Sequence, residues 1–233
     1  MSEIDYKNIW KASTHDWYQR ALSEHLTMSL SPLLSIFFIK KGIKPNTITV
    51  MMIICGIIAP ILLMVDNICV QCVSAVLFLL WFTLDASDGE VARFTQTFSK
   101  HGRDLDYLSH VSCHSLFVMA MWKIFAYQSE YLLPLSFFFF LLLAVELFYR
   151  MTVLYTIYIE KSDVVFDPSN KLKTCILLNL TYFPNFVVFF PTLYCISCFA
   201  GINILPFFIL LFLIYFIVKL KAYFLMIRRF YKA

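Results

Sequence analysis

Six apolar stretches long enough to cross a bilayer divide most of this chain, and the polar segments between them are of two kinds. The stretches run over roughly residues 47–65, 69–92, 105–127, 131–158, 172–199 and 203–226, and about 20 apolar residues in helical conformation span a hydrocarbon core. The pattern predicts an all-α, polytopic membrane protein with six transmembrane helices. Ahead of them, residues 16–41 carry apolar positions at helical spacing: Tyr18, Leu22, Leu26, Leu30, Leu33, Leu34, Phe37 and Phe38. They predict an amphipathic juxtamembrane segment lying in the headgroup plane, with packing into the bundle as the other reading. Ser31 and Pro32 read as an N-cap and a first-turn proline, so two short helices are expected there, the second ended by Gly42.

The linkers set an orientation. Lys7, Lys11, Arg20, Lys40, Lys41 and Lys44 precede the first span, and Arg93, Lys100 and Arg103 lie between the second and third. Arg150, Lys161, Lys171 and Lys173 flank the fourth and fifth, and Lys219, Lys221, Arg228, Arg229 and Lys232 close the chain. The other three loops, near Asp66, Gln128 and Gly201, carry no lysine or arginine. Basic loops stay on the cytoplasmic side, so both termini are expected there. The composition agrees with a membrane protein: 61% of residues are hydrophobic and 15% charged, which excludes an ordinary soluble domain. The first forty residues do not read as a cleaved signal peptide, and nothing points to nucleic acid. Residues 1–233 are expected to form a single membrane domain, with the six-helix core over 45–231. The seven cysteines fall mostly in apolar runs and read as packing residues, including the CxxC of Cys195 and Cys198.

Against this background one polar run matters, the segment between Asp85 and His110 at the expected cytoplasmic boundary. Asp85, Asp88 and Ala92 are three and four residues apart, with Gly89 one step on, and share a face of the second span. Gly102, Asp106 and His110, each four apart, share a face of the third, whereas Glu90 and Asp104 point elsewhere. Opposed, the two faces would bring three carboxylates and an imidazole together. Such a group needs a counter-charge, and hard oxygen ligands suit Mg2+, Mn2+ or Ca2+. Gly89 and Ala92 leave backbone open to a ligand, and Arg93 supplies fixed charge for a phosphate. The competing reading is an ion-pair cluster that only joins helices, and it accounts neither for the glycines nor for the surplus of acid.

The stretch D-x2-D-G-x2-A-R-x8-G-x3-D, formed by Asp85, Asp88, Gly89, Ala92, Arg93, Gly102 and Asp106, resembles the signature of the CDP-alcohol phosphotransferases (CDP-alcohol phosphatidyltransferases). Pro45, Asn46 and Thr49 resemble the start of that family's first span, and the six-span layout is similar. The resemblance implies transfer of a substituted phosphate from a CDP-alcohol to a hydroxyl with loss of CMP, in synthesis of phospholipids or related phosphodiesters and phosphonolipids. It implies two divalent cations, Mg2+ or Mn2+, ligated by Asp85, Asp88 and Asp106, and frequent homodimers. It places Asn46, Gly89 and Ala92 beside the cytidine and Arg93 on the diphosphate, with Thr49 and Gly102 among the substrate-binding residues.

The last aspartate of the signature, which in the family deprotonates the attacking hydroxyl, is His110 here. Imidazole does general-base work at neutral pH and also ligates metal, so His110 is expected to be the base, with Asp106 beside it, or a metal ligand. His114, one turn on, supports it or faces a neighbouring helix. Arg150, four residues from Glu146 inside the fourth span, is a candidate to meet an acceptor phosphate with Glu146 orienting it, the other reading being an internal salt bridge. Arg103 is a candidate for acceptor phosphate or a lipid headgroup. The donor is a CDP-alcohol and the acceptor a lipid or polar alcohol at the membrane surface. Two other functions fit the same residues: a catalytically silent protein that binds a CDP-ligand, and a divalent-cation transporter, although transporter sites lie nearer the midplane.

Overall fold

The computed structural model describes residues 5–12, 20–126, 129–158 and 171–232. Among them are helices and no strand: α1 (Tyr6–Ala12), α2 (Leu22–Lys40), α3 (Pro45–Leu63), α4 (Ile68–Thr95), α5 (Gly102–Ala126), α6 (Leu132–Tyr158), α7 (Lys171–Thr181), α8 (Phe183–Ala200) and α9 (Leu205–Lys232). Tyr18 and Lys161 lie outside the described residues. The starts follow from local chemistry. Pro45 occupies the first turn of α3, where its missing N–H costs nothing. Asn67 caps α4 by accepting from the amides of Cys69 and Val70. Gly201, at φ 67°, closes α8 in the left-handed region that glycine enters freely.

Among the described residues, six helices are long and apolar enough to cross a membrane: α2, α3, α4, α6, α8 and α9. The number equals the expected one, but the membership differs. Helix α5 drops out because its histidines and serines, His110 and His114 among them, hold its hydropathy down together with its charged residues, although it packs within the bundle against α3, α6 and α8. Helix α2 enters the set instead.

Two expectations are corrected. The fifth stretch is not one helix: the chain breaks at Tyr182 (φ −86°, ψ 104°) between α7 and α8. The cause is Pro184, which has no N–H to continue a helix through this point and sits in the first turn of the next one. Conversely, Ser31 and Pro32 do not separate two helices but lie inside α2. The Ser31 hydroxyl is turned to a partner on α4 and not to its own backbone. The faces of α2 also have a definite sense. Leu22, Leu26, Leu30, Leu33 and Phe37 point outward, while Ser23, Thr27, Ser31 and Ser35 are buried.

In lipid, helices gain nothing by hiding apolar faces from one another, so close packing must hold them. Helix α4 is central, packing on α3, α2 and α8. Its Trp81 lies fully buried against Gly56 of α3, where an added Cβ would sit 2.8 Å from the indole ring. The indole N–H donates to Ser109 Oγ of α5 at 3.0 Å. Deeper in the bundle, aromatic rings fill the space between α5, α6, α8 and α9, with Phe117, Phe139, Phe190 and Phe212 essentially inaccessible. Helices α4 and α5 both lie along α3 and meet each other through side chains, Phe78 against Phe117 and Trp81 against Ser109 and His110. The gap left between their ends is where the polar residues collect.

Candidate functional site

A turn over residues 96–101 reverses the chain between α4 and α5. Gln96 closes α4 in the left-handed region at φ 55°, and its side chain donates to the Arg93 carbonyl at 2.7 Å. Asn46, in the first turn of α3, donates to Ser99 Oγ at 2.9 Å and ties the turn to the neighbouring helix. The reversal brings the last turns of α4 opposite the first turns of α5.

Three of the expected residues converge across this gap. His110 Nε2 lies 3.3 Å from Asp85 Oδ1 and 3.4 Å from Asp106 Oδ1. One ligand atom from each of the three falls within 4.8 Å of the others. Asp88 stands apart from this trio. Its Oδ2 accepts from Thr49 Oγ1 at 2.6 Å, so α3 fixes its rotamer. Asp106 Oδ1 and His110 Nδ1 are buried without a hydrogen-bond partner. Buried polar atoms are ordinarily satisfied, and an oxygen-rich cluster with spare lone pairs is the donor set that a hard divalent cation takes. The residues therefore fit such an ion. The His110 ring is steadied from below by the edge of Trp81, with centroids 5.1 Å apart.

Two cavities meet at this cluster. The smaller, about 430 Å³, is lined by Asn46, Thr49, Asp88, Gly89, Ala92, Ser99, Gly102, Arg103 and Asp106 among others. The larger, about 610 Å³, is lined by Arg103, Asp106, His110, Glu146, Arg150 and Lys219 and by aromatic residues. Both lie within the roughly 300–1,000 Å³ usual for small-molecule sites. Arg103 and Asp106 line both and so mark the junction. Arg93 lines neither. It is exposed, and its guanidinium folds over Gly89, where an added Cβ would lie 2.9 Å from Nη1. Gly102 is under no such pressure, since a Cβ there would meet only ordinary contacts beyond 3.5 Å, with Ser99 at 3.6 Å and Asn46 at 3.8 Å.

His114 faces a neighbouring helix. Fully buried, its Nδ1 is 2.9 Å from Glu146 Oε1, while its ring stacks edge-on to His110 at 5.6 Å. Arg150 Nε donates to the same Glu146 oxygen at 2.7 Å, and the Tyr215 hydroxyl donates to the other. Glu146 thus gathers groups from three helices, accepting from Arg150 and Tyr215 with His114 Nδ1 beside the same oxygen as Arg150, and the arrangement holds Arg150 at the wall of the larger cavity. As expected, Glu90 and Asp104 lie off the site: Glu90 is buried toward α2, and Asp104 pairs with His101 at 3.1 Å. Sequence reading missed Tyr107, Tyr149, Tyr182, Tyr215 and Lys219, all on the larger cavity. Lys219 Nζ sits 3.7 Å over the Tyr149 ring. The available signal was the four-residue step from Tyr215 to Lys219, a lysine inside an otherwise apolar helix.

A sequence profile of CDP-alcohol phosphatidyltransferases matches residues 43–227 of the chain. The chain belongs to that family. Its residues from α3 to near the end of α9 are the matched part, while α1 and α2 lie ahead of it. A search of curated proteins returns no match. Membership makes the chain an integral membrane transferase of the class that moves phosphate-linked groups from CDP-alcohols in phospholipid synthesis, a class that uses divalent cations.

Proposed function

We propose that this CDP-alcohol phosphatidyltransferase uses the gap between α4 and α5 to join a CDP-alcohol to an acceptor hydroxyl, releasing CMP. The convergence of Asp85, Asp106 and His110 where two cavities meet is the observation that carries this reading. The smaller cavity takes the CDP-alcohol. Asn46, Gly89, Ala92 and Gly102 border the nucleotide, and Arg93 swings from over Gly89 onto the diphosphate. The larger cavity takes the acceptor.

Asp85, Asp88 and Asp106 would hold one or two divalent cations, Mg2+ or Mn2+, which offset the diphosphate charge and that of the leaving phosphate when bound. His110 is the base. Its Nε2 accepts the proton of the acceptor hydroxyl, and Asp85 Oδ1, 3.3 Å away, stabilises the imidazolium that results. The acceptor oxygen forms a bond to the β-phosphorus as the bond to CMP breaks. A single nitrogen cannot hold a cation and take this proton at once, so the base role of His110 excludes its ligation through Nε2. Arg150 and Lys219, with Arg103 at the junction, give the larger cavity three cationic groups, which favours an acceptor bearing phosphate or carboxylate. The basic linkers favour a cytoplasmic mouth for both cavities.

The test is CMP release by the purified protein from a panel of CDP-alcohols, with Mg2+ or Mn2+ present. Release is expected with at least one donor, and Asp88→Ala should abolish it. Nucleotide binding with no release across donors and acceptors would reassign the chain as a silent CDP-binding protein.

A further inference from the structure

Helix α2 is fastened at its middle and at its N-terminus by hydrogen bonds that an ordinary packing helix does not need. At its middle it meets Glu90, two residues beyond Asp88 and turned the opposite way, with 1% of its surface exposed. Its two carboxylate oxygens each accept a hydroxyl of α2, Ser31 Oγ at Oε1 and Ser35 Oγ at Oε2, both at 2.6 Å. One turn earlier Ser87 Oγ donates to the Ser31 carbonyl at 3.3 Å. The buried Arg20 adds positive charge acting on Glu90 and Glu24.

At the N-terminus of α2 the need is different, because the first amides of a helix have no partner within it. Here they are capped from other helices. Leu22 N donates to Asn179 Oδ1 of α7 at 2.7 Å, and Ser23 donates to Asn185 Oδ1 of α8 through its amide at 3.0 Å and its hydroxyl at 2.6 Å. Asn185 in turn donates to the Asn179 carbonyl at 2.9 Å, stapling the break between α7 and α8. The residues between these asparagines, Thr181 to Pro184, form part of the wall of the larger cavity.

A buried carboxylate is costly unless it is fully hydrogen-bonded, and an apolar contact of the same shape would join two helices as firmly. What paired hydroxyls on a carboxylate add is a fixed register. We propose that α2 is a strap that sets the spacing between the two halves of the site, with Glu90 the positioning residue at the donor end and Asn185 its counterpart at the acceptor end. The outward leucines of α2 rest against the bilayer and keep the strap seated on the bundle. The proposal rests on the assignment of donor and acceptor cavities above.

The experiment uses the full-length protein in detergent micelles with Mn2+, and two probes: CDP for the smaller cavity and inorganic phosphate for the larger. The Ser31→Ala/Ser35→Ala pair should weaken CDP binding by about tenfold, a modest share of the roughly 100-fold that a misplacement near 1 Å can cost. Phosphate affinity should hold within about twofold. Ser23→Ala should give the reverse split. Glu90→Gln, which can still accept from one serine and donate to the other, should stay near wild type on both probes and guards against simple misfolding. Amide hydrogen exchange supplies a readout that needs no ligand: the Ser31→Ala/Ser35→Ala pair should raise exchange in the α7–α8 elbow, and Glu90→Gln should leave it unchanged. Equal effects on both probes from both fastenings, or an elbow whose exchange the serine pair leaves unmoved, overturn the strap. A wild-type protein that neither binds CDP nor releases CMP sinks the transferase reading instead, and the exchange measurement still decides the strap.

Discussion

His110 Nε2 is within 3.4 Å of two carboxylates and faces the larger cavity. Removing a positioned base typically costs about 100- to 10,000-fold in rate, so His110→Ala should lower CMP release by that order while nucleotide binding persists. His110→Asp should recover part of the rate and carry the acidic limb of the pH–rate profile to lower pH, because a carboxylate is the weaker base. Full activity of His110→Ala at every pH would remove the base assignment. Glu146 answers a different question. Truncating it leaves Arg150, His114 and the Tyr215 hydroxyl without their shared partner, and breaking a buried pair costs about 3–5 kcal/mol. Glu146→Ala should therefore depress the thermal unfolding midpoint in detergent strongly. An unchanged midpoint would show that the network is dispensable.

Among the helices, the contact between α3 and α4 governs the floor of the site. Gly56 admits Trp81, and Trp81 in turn touches His110 by its ring edge and Ser109 by its N–H. An added Cβ would lie only 2.8 Å from the fully buried indole, so a methyl must displace the ring, and overpacking of this kind costs about 1–3 kcal/mol. Gly56→Ala should lower stability by that order, change the tryptophan fluorescence and slow CMP release, although residue 56 lines neither cavity. A variant with native fluorescence and native rate would sever this link. The same scale shows why the fifth stretch misled: it holds two prolines, of which Pro184 sits at the break and Pro191 inside the intact helix α8, and an apolar run does not tell them apart. In α2, the leucine periodicity was legible. The face that the serines bury, and the partner they meet on α4, were not.

For the molecule as a whole, the donor set calls for a bound cation, and ligand binding to the folded state stabilises it by mass action, by about 2.7 kcal/mol at 100 times the dissociation constant. Chelation should abolish CMP release and lower the unfolding midpoint together, and Mn2+ or Mg2+ should restore both. Release that survives exhaustive chelation would remove the metal from the mechanism.

The sequence by itself determined the all-α membrane class and the run of residues from Asp85 to His110, because spans need sustained apolarity and a short turn forces helical faces four residues apart to oppose. Which of those residues actually meet was settled in three dimensions. Asp85, Asp106 and His110 converge, and Asp88 accepts a hydrogen bond from Thr49, 39 residues away in the chain. The larger cavity, with Tyr149, Tyr215 and Lys219 brought in from α6 and α9, exists only through packing between distant segments. A periodicity records which face of a helix is polar, and only the contact between helices decides what that face touches.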